Sequence, residues 1–157
     1  MKFDLRQMTI EDIPSVVEGE EIIFGESLGY DMLYSELQLN PYAYYFVLEV
    51  DKKVEGYIGT WIDGEHAEIV NFYVSEDYQG QGFGKMMLEF VIELAKMSKV
   101  PTISLEVREH NTRAIELYTS HGFTLSHKRE RYYKDLEDAL VLIKDLRWKY
   151  ASTCGRK

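Results

Sequence analysis

Asn71-Phe-Tyr-Val-Ser-Glu-Asp-Tyr-Gln-Gly-Gln-Gly-Phe-Gly-Lys85 joins a β-rich run to a helical one, with glycines at the alternate positions Gly80, Gly82 and Gly84. Glycine lets the backbone approach a ligand closely, and the first N–H groups of a helix are unsatisfied and carry partial positive charge. A turn of this kind binds phosphate; the plainer alternative is a tight strand-to-helix turn with no ligand. Spacing narrows the ligand. A Walker loop needs Gly, four residues, then Gly-Lys-Ser/Thr, whereas position 79 is Gln and Gly84-Lys85 is followed by Met86. A dinucleotide fingerprint opens a parallel βαβ unit with Gly-x-Gly-x-x-Gly, but this turn follows three β-rich runs and its last spacing is one residue short. Nucleotide cofactors are disfavoured.

Working outward, Met87, Phe90, Val91, Leu94 and Ala95 recur at helical steps after the turn. Before it, Tyr44 to Val50, Val54 to Ile62 and Ala67 to Val74 are separated by Asp51-Lys-Lys53 and Asp63-Gly-Glu65, which predicts an antiparallel meander. Lys2 to Met8 alternates as a strand, and Thr9-Ile-Glu-Asp12 with Pro14 opens a helix. A second helix, Asp31 to Leu39, stops at Asn40-Pro41 because the residue before proline is pushed out of the helical region. Beyond the turn, Ile103 to Val107 is a strand and Asn111 to Ser120 a helix ended by His121-Gly122. Thr124 to Tyr133 and Ala139 to Ile143 are two more strands. The order β-α-α-β-β-β-α-β-α-β-β predicts an α/β domain with a mixed central sheet flanked by helices. One domain is expected over residues 1–146, with a polar tail over 147–157.

The chain has 157 residues, and 18 Lys plus Arg against 27 Asp plus Glu leave a formal charge of −9. That balance disfavours gripping nucleic-acid phosphates and suits a cationic substrate. With 45% hydrophobic and 29% charged residues there is material for a core. No apolar run reaches the roughly 20 residues that cross a bilayer, and no signal peptide opens the chain, so a cytoplasmic protein without a membrane partner is expected. One cysteine, Cys154, excludes an internal disulfide framework and Cys-based zinc; the four histidines show no ligand spacing, so no metal is expected. Surface or capping roles are expected for His66, His110, His121 and His127.

Gln79-x-x-Gly82-x-Gly84 after a β-rich strand resembles the pyrophosphate turn of the GNAT superfamily of acetyl-CoA-dependent acyltransferases. The resemblance continues through Leu105-Glu-Val-Arg108, Asn111, Ala114-Ile115, Leu117-Tyr118 and Gly122-Phe123. Arg131-Tyr-Tyr133 and Glu137-Asp-Ala139 resemble the N-terminal-acetyltransferase branch, including enzymes acting on the terminal alanine of ribosomal proteins. It implies acetyl-CoA as cosubstrate. Backbone groups of Phe72, Tyr73 and Val74 would pair with its pantetheine arm, and those of Gly80, Gln81, Gly82, Phe83, Gly84 and Lys85, with Gln79 beside them, would hold its pyrophosphate. Many relatives carry Arg or Lys just before the second glycine; here Gln81 stands there and Lys85 is the nearest cation.

Attack on a thioester requires an unprotonated amine, and the departing thiolate needs a proton. By resemblance Glu106, the sole carboxylate in Ile103 to Val107, is the base and Tyr118 the proton donor. Without it, Glu106 would be a solvent-facing strand residue and Tyr118 a packing aromatic. Asn111 suits a helix N-cap, a pantetheine partner, or both. Glu68, Tyr132 and Tyr133 are candidates on the acceptor side. The expected acceptor is the α-amine of a basic protein N-terminus, such as that of a ribosomal protein, drawn by Glu18, Glu20, Glu21 and Glu26 unless these form only a solvated helix face. A small amine (polyamine or aminoglycoside) is the alternative acceptor, and a non-catalytic acetyl-CoA-binding module the alternative class.

Overall fold

In the computed structural model, which describes residues 1–147, β1 (Phe3–Gln7) leads through a 3-10 turn (Ile10–Asp12) into α1 (Ile13–Phe24) and α2 (Tyr30–Leu39). Then come β2 (Ala43–Val50), β3 (Lys53–Ile62), β4 (Ala67–Val74), α3 (Phe83–Met97), β5 (Thr102–Arg108), α4 (Thr112–Ser120), β6 (Thr124–Arg129) and β7 (Ala139–Asp145). The element order is the one the sequence predicts. The tail after Arg147, with Cys154, lies outside the described residues. No helix among the described residues is long and apolar enough to cross a membrane.

The seven strands lie in the order β1-β2-β3-β4-β5-β7-β6. β2 is antiparallel to β3 across the short polar turn at Asp51-Lys52, and to β1, from which α1 and α2 separate it in the chain. β7 is antiparallel to both β5 and β6, so β5 and β6 run parallel, as a crossover through α4 demands, with β7 returned between them. β6 is shorter than the expected Thr124 to Tyr133. Arg131 and Leu136 take φ of +51° and +66°, a left-handed backbone that no strand accommodates, so residues after Arg129 form a loop.

The chain divides into two compact units, Met1–Trp61 with Ile69–Val91, and Ile62–Glu68 with the described chain from Ile92. In the first, α1 turns Ile13, Val16 and Glu20 inward, α2 adds Leu33, and Tyr45, Tyr57 and Tyr73 come from three strands. The Tyr57 ring centre lies 6.1 Å from that of Tyr45 and 5.4 Å from that of Tyr73. α1 approaches β4 so closely that a Cβ on Gly19 would stand 1.9 Å from the Tyr73 hydroxyl, which accounts for a glycine inside a helix. In the second unit the buried residues include Ile103, Leu105, Val107, Tyr118, Phe123 and Leu142.

Burial raises the phenols of Tyr45, Tyr57 and Tyr118 above their ordinary value, and Glu36 and Glu20 push the first two further in that direction. An unfolded tyrosine ionises near pH 10, while these stay protonated in the fold. The stability they supply is therefore complete below pH about 10 and lost as pH rises beyond it. Each such group contributes about 1.4 kcal/mol per pH unit, so three give a slope of roughly 4 kcal/mol per unit. The thermal midpoint should fall steeply above pH 10, with a second phase of tyrosinate absorbance coincident with unfolding. Full ionisation with circular dichroism retained would contradict this.

Candidate active site

β4 ends at Val74, a 3-10 turn spans Glu76–Tyr78, and α3 begins at Phe83. Gln79 Nε2 donates to the Val74 carbonyl at 2.8 Å and Gln81 Nε2 to that of Asp77 at 3.0 Å, so both amides brace the turn. Gly80 and Gly82 hold φ of +77° and +91°. No atom lies within 4 Å of the place a Cβ on Gly82 would take, so backbone conformation and an open face call for glycine there. Met86 N–H donates to the Gly82 carbonyl at 3.0 Å, which leaves the N–H groups of Phe83, Gly84 and Lys85 ahead of that rung. The Phe83 ring is buried edge-on to Phe3 and Tyr78, so its backbone faces the turn; Lys85 is exposed in the first helical turn. An open glycine backbone beside a helix N-terminus suits a diphosphate.

Upstream, Phe72 is half-buried and its N–H donates to Asn71 Oδ1 at 3.1 Å, while the Tyr73 and Val74 side chains are buried. Gly82→Ala would force an L-residue into a left-handed conformation at a cost of about 1–2 kcal/mol. If the turn holds acetyl-CoA, as the resemblance implies, the KM for it should rise about 5- to 30-fold with kcat less affected; an unchanged KM would overturn that role.

β5 alternates strictly, with Ile103, Leu105 and Val107 buried and Thr102, Ser104, Glu106 and Arg108 half-buried on the other face. Glu106 Oε2 lies 2.7 Å from Arg129 Nε, with the carboxylate 25% and the arginine 49% exposed. The Tyr132 phenol donates to the same carboxylate; that bond and the charge of Glu106 raise its pKa. Glu68 on β4 is raised by burial and then by Glu106, with Arg129 partly offsetting both. Two carboxylates, a guanidinium and a phenol thus share one centre.

The loop after β6 is stapled to β5. Arg108 Nη1 pairs with Asp135 and Glu137, each at 2.9 Å, and its guanidinium lies 4.0 Å from the Tyr133 ring centre. Glu137 also accepts from the His110 backbone at 2.9 Å and faces His110 Nδ1 at 2.8 Å. Arg108 first, then His110, draws its carboxyl down to about 2. Asp138 Oδ1 accepts from Arg131 N–H at 2.8 Å. Glu137 and Asp138 therefore hold the loop carrying the edge-on pair Tyr132–Tyr133. Asn111 is exposed and caps α4, its Oδ1 accepting from Ala114 N–H at 3.3 Å. Tyr118 is buried, edge-on to Phe123.

Three features escaped the sequence. Arg129 is one of six exposed residues on β6, and nothing in its own stretch points to Glu106. The register pairs both Arg108 and Arg129 with Ala139 on β7, and Glu106 with Val141 two residues on, so Arg129 meets Glu106 diagonally across β7. His66 is half-buried rather than a surface or capping residue, with Nδ1 2.7 Å from Thr102 Oγ1 and Nε2 2.8 Å from Ser104 Oγ. Glu20 leaves the expected acidic attractor: it is fully buried and accepts four hydrogen bonds, whereas Glu18, Glu21 and Glu26 are exposed. Among the described residues no group of three or more His, Cys, Asp or Glu side chains could hold a metal ion.

The glycine turn, the sheet order and the polar face of β5 are those of an acyl-transfer fold, and the chain belongs to the acetyltransferase (GNAT) family, whose pattern matches residues 13–123. It is an acetyl-CoA-dependent N-acetyltransferase. Over 142 residues it is 39% identical to the putative [ribosomal protein bS18]-alanine N-acetyltransferase of Bacillus subtilis (strain 168), a match covering 90% of this chain and 94% of that protein. The [ribosomal protein bS18]-alanine N-acetyltransferase of Escherichia coli (strain K12) is 36% identical over 100 residues, 62% of this chain and 68% of that one. The crystal structure of the ribosomal-protein-S18-alanine N-acetyltransferase from Escherichia coli matches with a TM-score of 0.85 at 27% identity, covering 94% of this chain and 96% of the other.

Proposed function

We propose that this enzyme transfers acetyl to the N-terminal α-amine of a protein, with the terminal alanine of a basic ribosomal protein as acceptor. The near full-length likeness to the Bacillus subtilis protein carries this reading. Site chemistry agrees with it. An α-amine has a pKa near 7.7–8.0 and lysine one near 10.4, so lysine needs roughly 2.5 units, or about 3 kcal/mol, more help to lose its proton. A centre with modest carboxylate bases favours the terminus.

Acetyl-CoA supplies the acetyl group as a thioester. Backbone groups of Phe72 to Val74 and the N–H groups of Gly80 to Lys85 hold its arm and pyrophosphate, with Gln79 bracing the turn and the Asn111 amide available to the arm. Glu106 takes the proton from the amine nitrogen as that nitrogen bonds to the carbonyl carbon. Tyr118, kept protonated by burial, gives a proton to the sulfur as the carbon–sulfur bond breaks. Glu68 shares the proton load at Glu106, and Tyr132 and Tyr133 line the acceptor side. Tyr118→Phe should lower kcat about 100-fold or more while leaving the KM for acetyl-CoA nearly unchanged; unchanged turnover would end its role as acid.

The decisive experiment mixes the protein with acetyl-CoA and a basic peptide beginning with alanine, following thiol release and mapping the product by mass spectrometry. A matched peptide with a blocked α-amine and a free lysine is the control. Acetylation confined to the free terminus is expected. Transfer to the lysine, or faster turnover of a small amine such as spermidine, would overturn the reading.

A further inference from the structure

We propose that Arg129 occupies, in the free enzyme, the place of the acceptor's terminal ammonium, pairing with Glu106 until the incoming amine displaces it. The inference rests on the reading of Glu106 as the base and names what that base holds beforehand. At 2.7 Å the Arg129 Nε to Glu106 Oε2 contact is the charge-assisted bond an ammonium would make with the same oxygen. Arg129 sits on a strand whose six residues are all exposed, and its own side chain is half in water. An ion pair this open is worth about 0–1 kcal/mol, so an ammonium can displace it at little cost. The Tyr132 ring centre lies 5.4 Å from the guanidinium, a cation-binding face that a peptide ammonium can use in turn.

The exchange changes the chemistry of the centre. A guanidinium neutralises Glu106 but has no proton to yield at physiological pH, whereas an ammonium in the same place can release one proton to solvent and become the neutral amine, whose next proton Glu106 takes as the nitrogen bonds to the carbonyl carbon. Glu106 is thus paired when idle and able to accept a proton once the amine is bound. The other charged or titratable groups about Glu106 are Glu68 on β4, Tyr132 and Tyr133 on the loop, and His127, which shares its register row through Val141. His66 reaches the same face of β5 through Ser104. Arg108, the next cation on β5, is committed to Asp135, Glu137 and the Tyr133 ring.

The test compares wild type with Arg129→Gln and with Arg129→Met, which keeps the aliphatic stem over Tyr132 without the charge. Two quantities are read for the alanine-first peptide: its KM, and the Ki of its acetylated product, which lacks the ammonium. Both variants should lower the peptide KM about 2- to 5-fold and leave the product Ki unchanged. An unchanged or raised KM, or a KM and Ki that change by the same factor, would make Arg129 a structural support of the loop and overturn the inference. Glu106→Gln run alongside separates the two readings. Wild-type turnover in that variant would remove Glu106 as the base. Loss of turnover there, with the Arg129 variants behaving as wild type, would remove only the role given to Arg129.

Discussion

Glu106→Gln is expected to lower kcat/KM for the acceptor peptide about 10²- to 10⁴-fold, the range over which a positioned general base contributes. The substitution keeps the shape of the side chain and an oxygen to accept from Tyr132, and removes only the charge and the basic lone pair. Its partner Arg129 is half-exposed, so the lost ion pair costs about 0–1 kcal/mol. For a chain of 157 residues that moves the thermal midpoint by no more than about 2–4 °C. Rate and stability should therefore separate: a large loss of turnover at nearly constant midpoint, with the KM for acetyl-CoA little changed. A variant that keeps its rate would shift the proton to Glu68, the neighbouring carboxylate already raised by burial and by Glu106. The double change Glu68→Gln with Glu106→Gln would then be the inactive one.

Glu20→Ala should be the most destabilising single change among the residues discussed. Its Oε1 accepts from Ser27 Oγ at 2.6 Å and from Leu28 N–H at 3.1 Å, and its Oε2 from Asn71 Nδ2 at 2.6 Å and from the Tyr57 hydroxyl. Truncation leaves four donors without their acceptor inside the first unit and opens a cavity beside Tyr57. Each buried donor left unpaired costs about 1–3 kcal/mol, and breaking a buried charged network typically costs about 3–5 kcal/mol in all. Against a total of roughly 5–15 kcal/mol, the urea midpoint should drop by about a fifth or more. Function should follow, because Asn71 also accepts from the Phe72 N–H at the start of the proposed cofactor stretch, so the KM for acetyl-CoA rises even where the variant stays folded. A midpoint within about 0.5 kcal/mol of wild type would mean water replaces the carboxylate and that the network carries little.

Glu36 repeats the pattern on α2, accepting from Tyr45 at 2.8 Å, from Asn40 Nδ2 at 3.0 Å and from the Trp61 indole. In the sequence Glu20 stands in an acidic stretch that could be a solvated helix face. Burial belongs to both acids because tyrosine and tryptophan donors from β2 and β3, distant in the chain, arrive at the same depth.

What the residues determine locally was legible in order. Element types follow from periodicity and from breakers such as Asn40-Pro41 and His121-Gly122. The glycine turn follows from positive φ at Gly80 and Gly82 beside a helix start, a property of neighbours along the chain. Glu106 and Tyr118 could be singled out because one is a lone acid in an apolar strand and both stand in a recognisable pattern. The tertiary structure alone decided that β7 lies between β5 and β6, and with it that Arg129 meets Glu106 across β7. It alone placed His66 against two hydroxyls and Glu20 in the core. Each of these depends on strand register and on which side chains meet across elements, energies that no spacing along a single chain encodes.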